Sequence, residues 1–172
     1  SGDIMNFEMA QEMAEMEGIE VASVVVDDDI AVEDSLYTQG RRGVAGTILV
    51  HKILGDAARA GKSLTEIKEL ANELVKHIHT VGLALSGATV PEVGKPGFVL
   101  ADDEIEFGIG IHGEPGYRKE KMQPSKDLAK ELIEKLSQSF ELKSGKKIGI
   151  LINGMGATPL MEQYVFAADV AN

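Results

Sequence analysis

The sequence predicts an α/β protein in which helices flank a mixed sheet. Segments with apolar residues at helical spacing alternate along the chain with short apolar runs of strand length. Glycines and prolines stand at most junctions between these segments. The 172 residues suffice for one substantial core, and 44% of them are hydrophobic.

The first half of the chain is predicted to contain three helices and one strand. Residues 3–16 form the first helix, and the Val-rich run 21–26 forms a buried strand that ends at three adjacent aspartates. Residues 44–60 form the second helix. Ser63 and Glu66 have the spacing of a capping box and begin the third helix, which continues to about residue 79.

The second half is predicted to contain most of the sheet. Apolar residues alternate with Glu106, Gly108 and Gly110 after an acidic turn, and glycines on one strand face indicate the close approach of a backbone or a ligand. The remaining predicted elements are strands within 80–90, 98–100 and 148–153, a helix capped by Ser125, and a last helix with Thr158 as N-cap and Pro159 as its first residue.

Composition excludes several classes of function. The chain has no cysteine, so it has neither disulfides nor thiolate metal ligands, which fits a cytoplasmic protein. A net charge of −11 argues against a nucleic-acid partner. No apolar run reaches about 18 residues, so no membrane span is predicted. The first residue is not Met and both ends fall within helical patterns, so we expect an internal piece of a longer protein.

The four histidines are the first candidates for chemistry. His51 and His77 lie within helical patterns, where most histidines have no chemical role. His79 lies where a helix gives way to a glycine-containing strand, and His112 also lies at the end of an element. Ligand-binding groups gather at such element ends in α/β folds, so position favours His79 and His112.

Acidic and basic residues leave alternatives open. Asp3 can cap the first helix or act in a site. The aspartates 27–29 can bind a divalent metal or simply end a strand. Arg41 and Arg42 can hold an anion or form a salt-bridged helix boundary. Two glycine-rich connections between predicted elements could bind phosphate, but neither matches the motif GxxxxGK[ST] or the motif GxGxxG.

Seven motifs occur along the chain in one order and together point to a known family. They resemble the K subunit of dihydroxyacetone kinase and the equivalent domain of single-chain kinases, over essentially the whole chain. The motifs are DDDIAV (27–32), DSLY (34–37), GRRGVA (40–45), HTVGLAL (79–85), GKP (94–96), EFGIGIHGEPG (106–116) and NGMGATPL (153–160).

The resemblance implies the roles of two residues. His79 matches the histidine that binds dihydroxyacetone as a hemiaminal between a ring nitrogen and the carbonyl carbon. Asp3, in SGD (1–3) followed by NFE (6–8), matches the base at the substrate hydroxyl. A further family histidine lies upstream of the residues present, and His112 does not match it.

The resemblance also implies an incomplete two-domain fold and a set of partners. Residues 1–40 correspond to the end of the first K-subunit domain, and residues 41–172 to the second, truncated at its C-terminus. No cofactor is expected in this chain, because nucleotide and Mg belong to an L-type partner subunit or a fused domain. A cytoplasmic homodimer active in glycerol metabolism is implied, with either the phosphotransferase system or ATP as donor.

Three hypotheses follow from these observations. The first is a dihydroxyacetone kinase subunit, inactive as this isolated piece. The second is a catalytically silent paralogue that binds dihydroxyacetone through His79 and activates a transcriptional regulator. The third is a structural fragment without a ligand. The presence of both Asp3 and His79 favours the enzyme.

Overall fold

The structure, a computed structural model, describes residues 2–31, 40–89, 91–111, 113–140 and 143–172. The chain divides into two compact units. The first unit comprises Ser1–Asp29 and Glu33–His79, and the second comprises Ile30–Val32 and Thr80–Asn172. These units part at a different place from the boundary predicted after residue 40. That boundary concerns the domains of the longer family fold and stays a prediction.

The first unit contains the three predicted helices. They are α1 (Gly2–Met16), α2 (Gly46–Arg59) and α3 (Leu64–Leu74). The third helix ends earlier than predicted, because a 3-10 turn, Val75–His77, follows it directly and Ile78 is extended. α2 buries Val50 and Ala57, which lie two turns apart on one face.

The capping box at the start of α3 is confirmed. The hydroxyl of Ser63 accepts a hydrogen bond from the Glu66 backbone N–H at 3.3 Å, and the Glu66 carboxylate accepts one from the Ser63 N–H at 2.9 Å. The hydrogen bond from the Ser63 backbone N–H, followed by those that the Ser63 hydroxyl and Lys62 donate to the carboxylate, lowers the pKa of Glu66 to about 2. The helix therefore begins with a charged carboxylate over its first turn, where the helix dipole favours negative charge.

The second unit is built around a small sheet. Its strands are β1 (Leu83–Ala84), β2 (Glu104–Phe107) and β3 (Arg118–Lys121), and its helices are α4 (Ser125–Ser137) and α5 (Leu160–Ala171). The strand order is β1-β2-β3 with antiparallel pairing throughout. Phe107 lies opposite Leu83 on one side and opposite Arg118 on the other.

The core of this unit lies between β2 and α4. Ile105 and Phe107 are fully buried and pack with Leu128 and Leu132, which lie four residues apart on one face of α4. The guanidinium of Arg118 lies 4.3 Å above the centre of the Phe107 ring. Strand β2 is thus the central element that the alternation of apolar residues predicts.

The α/β class is confirmed, but several predicted strands differ. Within the described residues the sheet is antiparallel, not mixed, and residues 21–26, 98–100 and 148–153 lie outside it. The runs 21–26 and 148–153 are also largely exposed, with Val25 55% and Ile148 58% exposed, so the burial predicted for 21–26 is wrong. A strand needs a neighbour at the right register, which an apolar run does not specify. Strand β2 stops at Phe107 because Gly108 turns the chain with a φ of +73°.

The charged strand β3 is absent from the sequence prediction. All four of its residues are charged, which is unusual for a central strand but common at a sheet edge. At the helix starts, Pro124 and Pro159 occupy the N-cap positions in place of the predicted Ser125 and Thr158. Proline suits this position because its missing N–H would have no partner inside the helix. Among the described residues, no helix is both long and apolar enough to cross a membrane.

Candidate functional site

His79 is the last residue of the first unit and follows a 3-10 turn and one extended residue. The 3-10 turn ends at His77, and Ile78 follows in an extended conformation with only 8% of its surface exposed. The His79 side chain is half-buried, and its Nδ1 atom is among the fully buried atoms. One ring nitrogen of His79, Nδ1, is therefore enclosed by protein.

The surroundings of His79 keep its imidazole neutral. Burial lowers the pKa of His79 below its ordinary value of 6.5, and the nearby charge of Arg41 lowers it further. Asp27 and, more weakly, Asp28 act in the opposite direction. The net effect is a lowered pKa, so the uncharged and nucleophilic ring predominates at neutral pH.

Two buried aspartates join the segment before residue 30 to the start of α2. Both carboxylate oxygens of Asp28 accept hydrogen bonds at 2.8 Å, one from the Val44 N–H and one from the Gly46 N–H. The Asp29 carboxylate pairs with the guanidinium of Arg42, whose Nε lies 2.8 Å away. Asp28 and Asp29 are only 1% and 4% exposed, so these are interior contacts.

These contacts bear on two alternatives that the sequence leaves open. The Asp28 carboxylate binds backbone N–H groups at the start of α2, and the Asp29 carboxylate pairs with Arg42. Arg42 forms a salt-bridged helix boundary, as one of its two predicted readings states. Arg41 acts on the charge state of His79.

Glycines allow the two segments to come this close. A Cβ atom on Gly43 would lie 2.5 Å from the Val26 carbonyl oxygen. A Cβ atom on Gly46 would lie 2.5 Å from Cγ2 of Ile78 and 2.6 Å from the Asp28 carboxylate. This arrangement is absent from the sequence prediction. Its signal is the three-residue spacing of Gly40, Gly43 and Gly46 at a predicted helix start.

The other candidate residues lie in more ordinary surroundings. Asp3 is exposed in the first turn of α1, within the same compact unit as His79. His51 is exposed on α2, and the exposed His77 places its Nδ1 2.9 Å from the Glu73 carbonyl. His112 lies outside the described residues.

Gly108 lies just after β2 and is closely approached by side chains, whereas the sequence predicts strand glycines that face a backbone or a ligand. A Cβ atom there would lie 2.6 Å from the Tyr117 ring and 2.9 Å from the Ala31 side chain. Nearby, the buried Glu106 accepts a hydrogen bond from the Gly116 N–H at 2.7 Å. These contacts shape the loop that follows β2 within the second unit.

Comparisons with known proteins agree on the family to which the chain is similar. The family profile of the Dak1 domain matches residues 1–172. The chain is 70% identical over 170 residues to the dihydroxyacetone-binding subunit DhaK of the PTS-dependent dihydroxyacetone kinase of Lactococcus lactis, covering 99% of this chain and 51% of that protein. It is 48% identical over 170 residues to the DhaKLM operon coactivator DhaQ of the same species, covering 98% of this chain and 52% of DhaQ.

A solved structure agrees with the sequence relatives. The native dihydroxyacetone kinase of C. freundii superposes with a TM-score of 0.86 at 32% identity, covering 99% of this chain and 30% of that protein. The chain spans about half the length of the curated relatives it matches. The resemblance drawn from the seven motifs is thereby confirmed, and the chain belongs to the Dak1 domain family.

Proposed function

We propose that the protein containing this chain binds dihydroxyacetone covalently through His79 and serves as the substrate-binding subunit of a dihydroxyacetone kinase. The observation that carries this proposal is the half-buried His79 whose pKa is lowered by burial and by Arg41. A small ketone with two hydroxyl groups offers little apolar surface for binding. A bond to its carbonyl carbon supplies the missing affinity and discriminates against polyols, which lack an electrophilic carbon.

The covalent step balances as an addition. The lone pair of His79 Nε2 forms the bond to the carbonyl carbon, because Nδ1 is the buried ring nitrogen. The π electrons of the carbonyl group move to its oxygen, which takes up a proton while the ring gives up the proton on Nδ1. The adduct therefore has the summed mass of protein and ketone. A protonated ring cannot start this step, so the lowered pKa of His79 favours it.

Phosphoryl transfer requires a base and a donor. Asp3 would accept the proton of the terminal hydroxyl as its oxygen attacks phosphorus, and its exposed position in the first turn of α1 leaves the carboxylate accessible. The nucleotide and its magnesium would be held by an L-type partner subunit or a fused domain. A cytoplasmic homodimer is part of the same proposal.

The second candidate function is a coactivator that binds dihydroxyacetone without turning it over. The relative DhaQ supports it, at 48% identity over 170 residues. The enzyme is favoured because identity to the kinase subunit DhaK reaches 70% over the same length. Both candidates need the adduct on His79, and only the enzyme needs Asp3 as a base.

The adduct can be tested with the full-length protein and dihydroxyacetone labelled with ¹³C at C2. We expect the carbonyl resonance of the bound ketone to be replaced by that of a tetrahedral carbon, and native mass measurement to show the summed mass. His79→Ala abolishes both signals. The matched control is His77→Ala, which removes an exposed histidine two residues away and leaves the adduct intact. Absence of the adduct in the wild type overturns the proposal.

Turnover separates the enzyme from the coactivator. The full-length protein, supplied with a nucleotide-binding partner subunit and phosphoryl donor, should convert dihydroxyacetone to its phosphate. Asp3→Asn should lower kcat at least about 100-fold, in the range expected for loss of a general base, while the adduct still forms. Glu12→Gln, an exposed carboxylate on the same helix, should leave kcat unchanged. An adduct without turnover in the wild type selects the coactivator.

A further inference from the structure

An interior contact among Asp28, Gly46 and Ile78 connects the start of α2 to the residue before His79. The Asp28 carboxylate binds the N–H groups of Val44 and Gly46 at 2.8 Å each. Gly46 is the first residue of α2, and the N-cap residue Ala45 offers no side-chain hydrogen bond. Asp28 thus supplies the carboxylate that an N-cap side chain usually provides, from 18 residues earlier in the chain.

The same glycine contacts the residue before His79. Its Cα hydrogen faces both the Ile78 side chain and the Asp28 carboxylate, since a Cβ atom would lie 2.5 Å from the former and 2.6 Å from the latter. Ile78 is buried and extended, so it has little room to move aside. A displacement of the Asp28 carboxylate or of the α2 start must therefore pass to the backbone that carries His79.

We propose that Asp28 and Gly46 are positioning residues for His79, which hold its ring in the orientation needed to add to the substrate carbonyl. This inference rests on the proposed function of His79. The two residues act through Ile78 and touch no reacting atom. Addition to a carbonyl requires close approach along a defined direction, and a misplacement of about 1 Å can cost about 100-fold.

A merely structural role gives a different result from a positioning role. If Asp28 and Gly46 only stabilised the fold, variants would contain fewer folded molecules, and each folded molecule would bind dihydroxyacetone normally. If they position His79, each folded molecule binds less tightly. The dissociation constant of the adduct, measured on the folded fraction, therefore distinguishes the two roles.

The test uses the full-length protein and the ¹³C-labelled ketone, with folded fractions measured by circular dichroism. Gly46→Ala should raise the Kd of the adduct at least about tenfold. Asp28→Asn keeps the shape of the side chain and should also raise the Kd of the adduct at least about tenfold. It is the second variant, to be used if Gly46→Ala does not fold. Gly55→Ala is the matched control, because its added methyl lies no closer than 3.7 Å to the Arg59 side chain and changes the same helix without touching Ile78.

The outcomes separate this inference from the proposed function. Weaker adduct formation in the folded Gly46→Ala or Asp28→Asn protein, with normal binding by Gly55→Ala, supports the positioning role. Wild-type Kd in the folded variants overturns the positioning role and leaves the adduct on His79 standing. Failure of the wild type to form any adduct overturns the function of His79 and the positioning role together.

Discussion

The first backbone N–H groups of α2 and α3 find their hydrogen-bond partners in two different ways. Each helix begins with backbone N–H groups that have no partner inside the helix. At α3 the partner is local, because Ser63 and Glu66 satisfy each other's backbone three residues apart. At α2 the partner is the carboxylate of Asp28, 18 residues earlier. A local cap stabilises one helix, whereas a distant cap also fixes the position of another part of the chain.

The difference extends to what surrounds each cap. The Ser63 cap is exposed to water, so its loss affects little besides the first turn of α3. The Asp28 cap is buried and lies beside the Asp29–Arg42 ion pair and the contact of Gly46 with Ile78. The start of α2 is therefore tied to the segment that ends in His79. Four experiments on the full-length protein test this difference between the two caps.

The largest effect is expected from the ion pair beside the distant cap. Arg42→Met leaves the Asp29 carboxylate buried without its guanidinium, which should lower the free energy of unfolding by about 3–5 kcal/mol. Urea denaturation measures the loss. The double variant Asp29→Asn/Arg42→Met should recover part of it, because the buried carboxylate that lost its guanidinium is then replaced by a neutral amide. A loss below about 1 kcal/mol would mean that the pair behaves like an exposed one.

Two glycines of α2 should respond in opposite directions. Gly46→Ala forces a methyl group against Ile78 and Asp28 and should destabilise the protein by about 1–3 kcal/mol. Gly55→Ala adds a methyl group with ordinary contacts and should stabilise the helix by up to about 1 kcal/mol, because alanine has the higher helix propensity. Equal effects, measured by urea denaturation of both variants, would contradict the close approach at Gly46.

The local cap should matter less. Ser63→Ala removes the hydroxyl that binds the Glu66 N–H and should cost about 1 kcal/mol of unfolding free energy. Thr65→Ala, at an exposed position in the same turn, is the control and should change stability by less than about 0.5 kcal/mol. Adduct formation on His79 should be unaffected by both. A weakened adduct in Ser63→Ala would contradict the claim that the local cap of α3 does not affect His79.

The smallest effect is expected from the removal of single charges near His79. Because the folded pKa of His79 is lowered, adduct formation should persist below pH 6.5 and fall only as pH drops through that lowered pKa. Arg41→Gln removes a charge that opposes the imidazolium, so the loss should occur at higher pH. Asp27→Asn removes a charge that favours it, so the loss should occur at lower pH. The ¹³C signal of the adduct between pH 4 and 8 measures all three midpoints, and shifts in the same direction would contradict this electrostatic account.

Local patterns predicted the helices well and the sheet less well. The capping box located the start of α3, helical spacing located α1, and the polar residue Ser125 indicated α4, because neighbours along the chain set these features. The alternation around Ile105 located β2 for the same reason. Strand partners join distant residues, so the apolar run 21–26 wrongly indicated a strand, and the charges of β3 concealed an edge strand.

The α/β class, the family, and the choice of His79 and Asp3 as candidate residues follow from the sequence, since ordered motifs and local spacing carry that information. The way in which His79 is held follows from the three-dimensional fold. The lowered pKa of its ring and the cap that Asp28 places on α2 arise from groups far apart in the chain. Burial and close approach depend on which surfaces meet, and a linear pattern does not specify that.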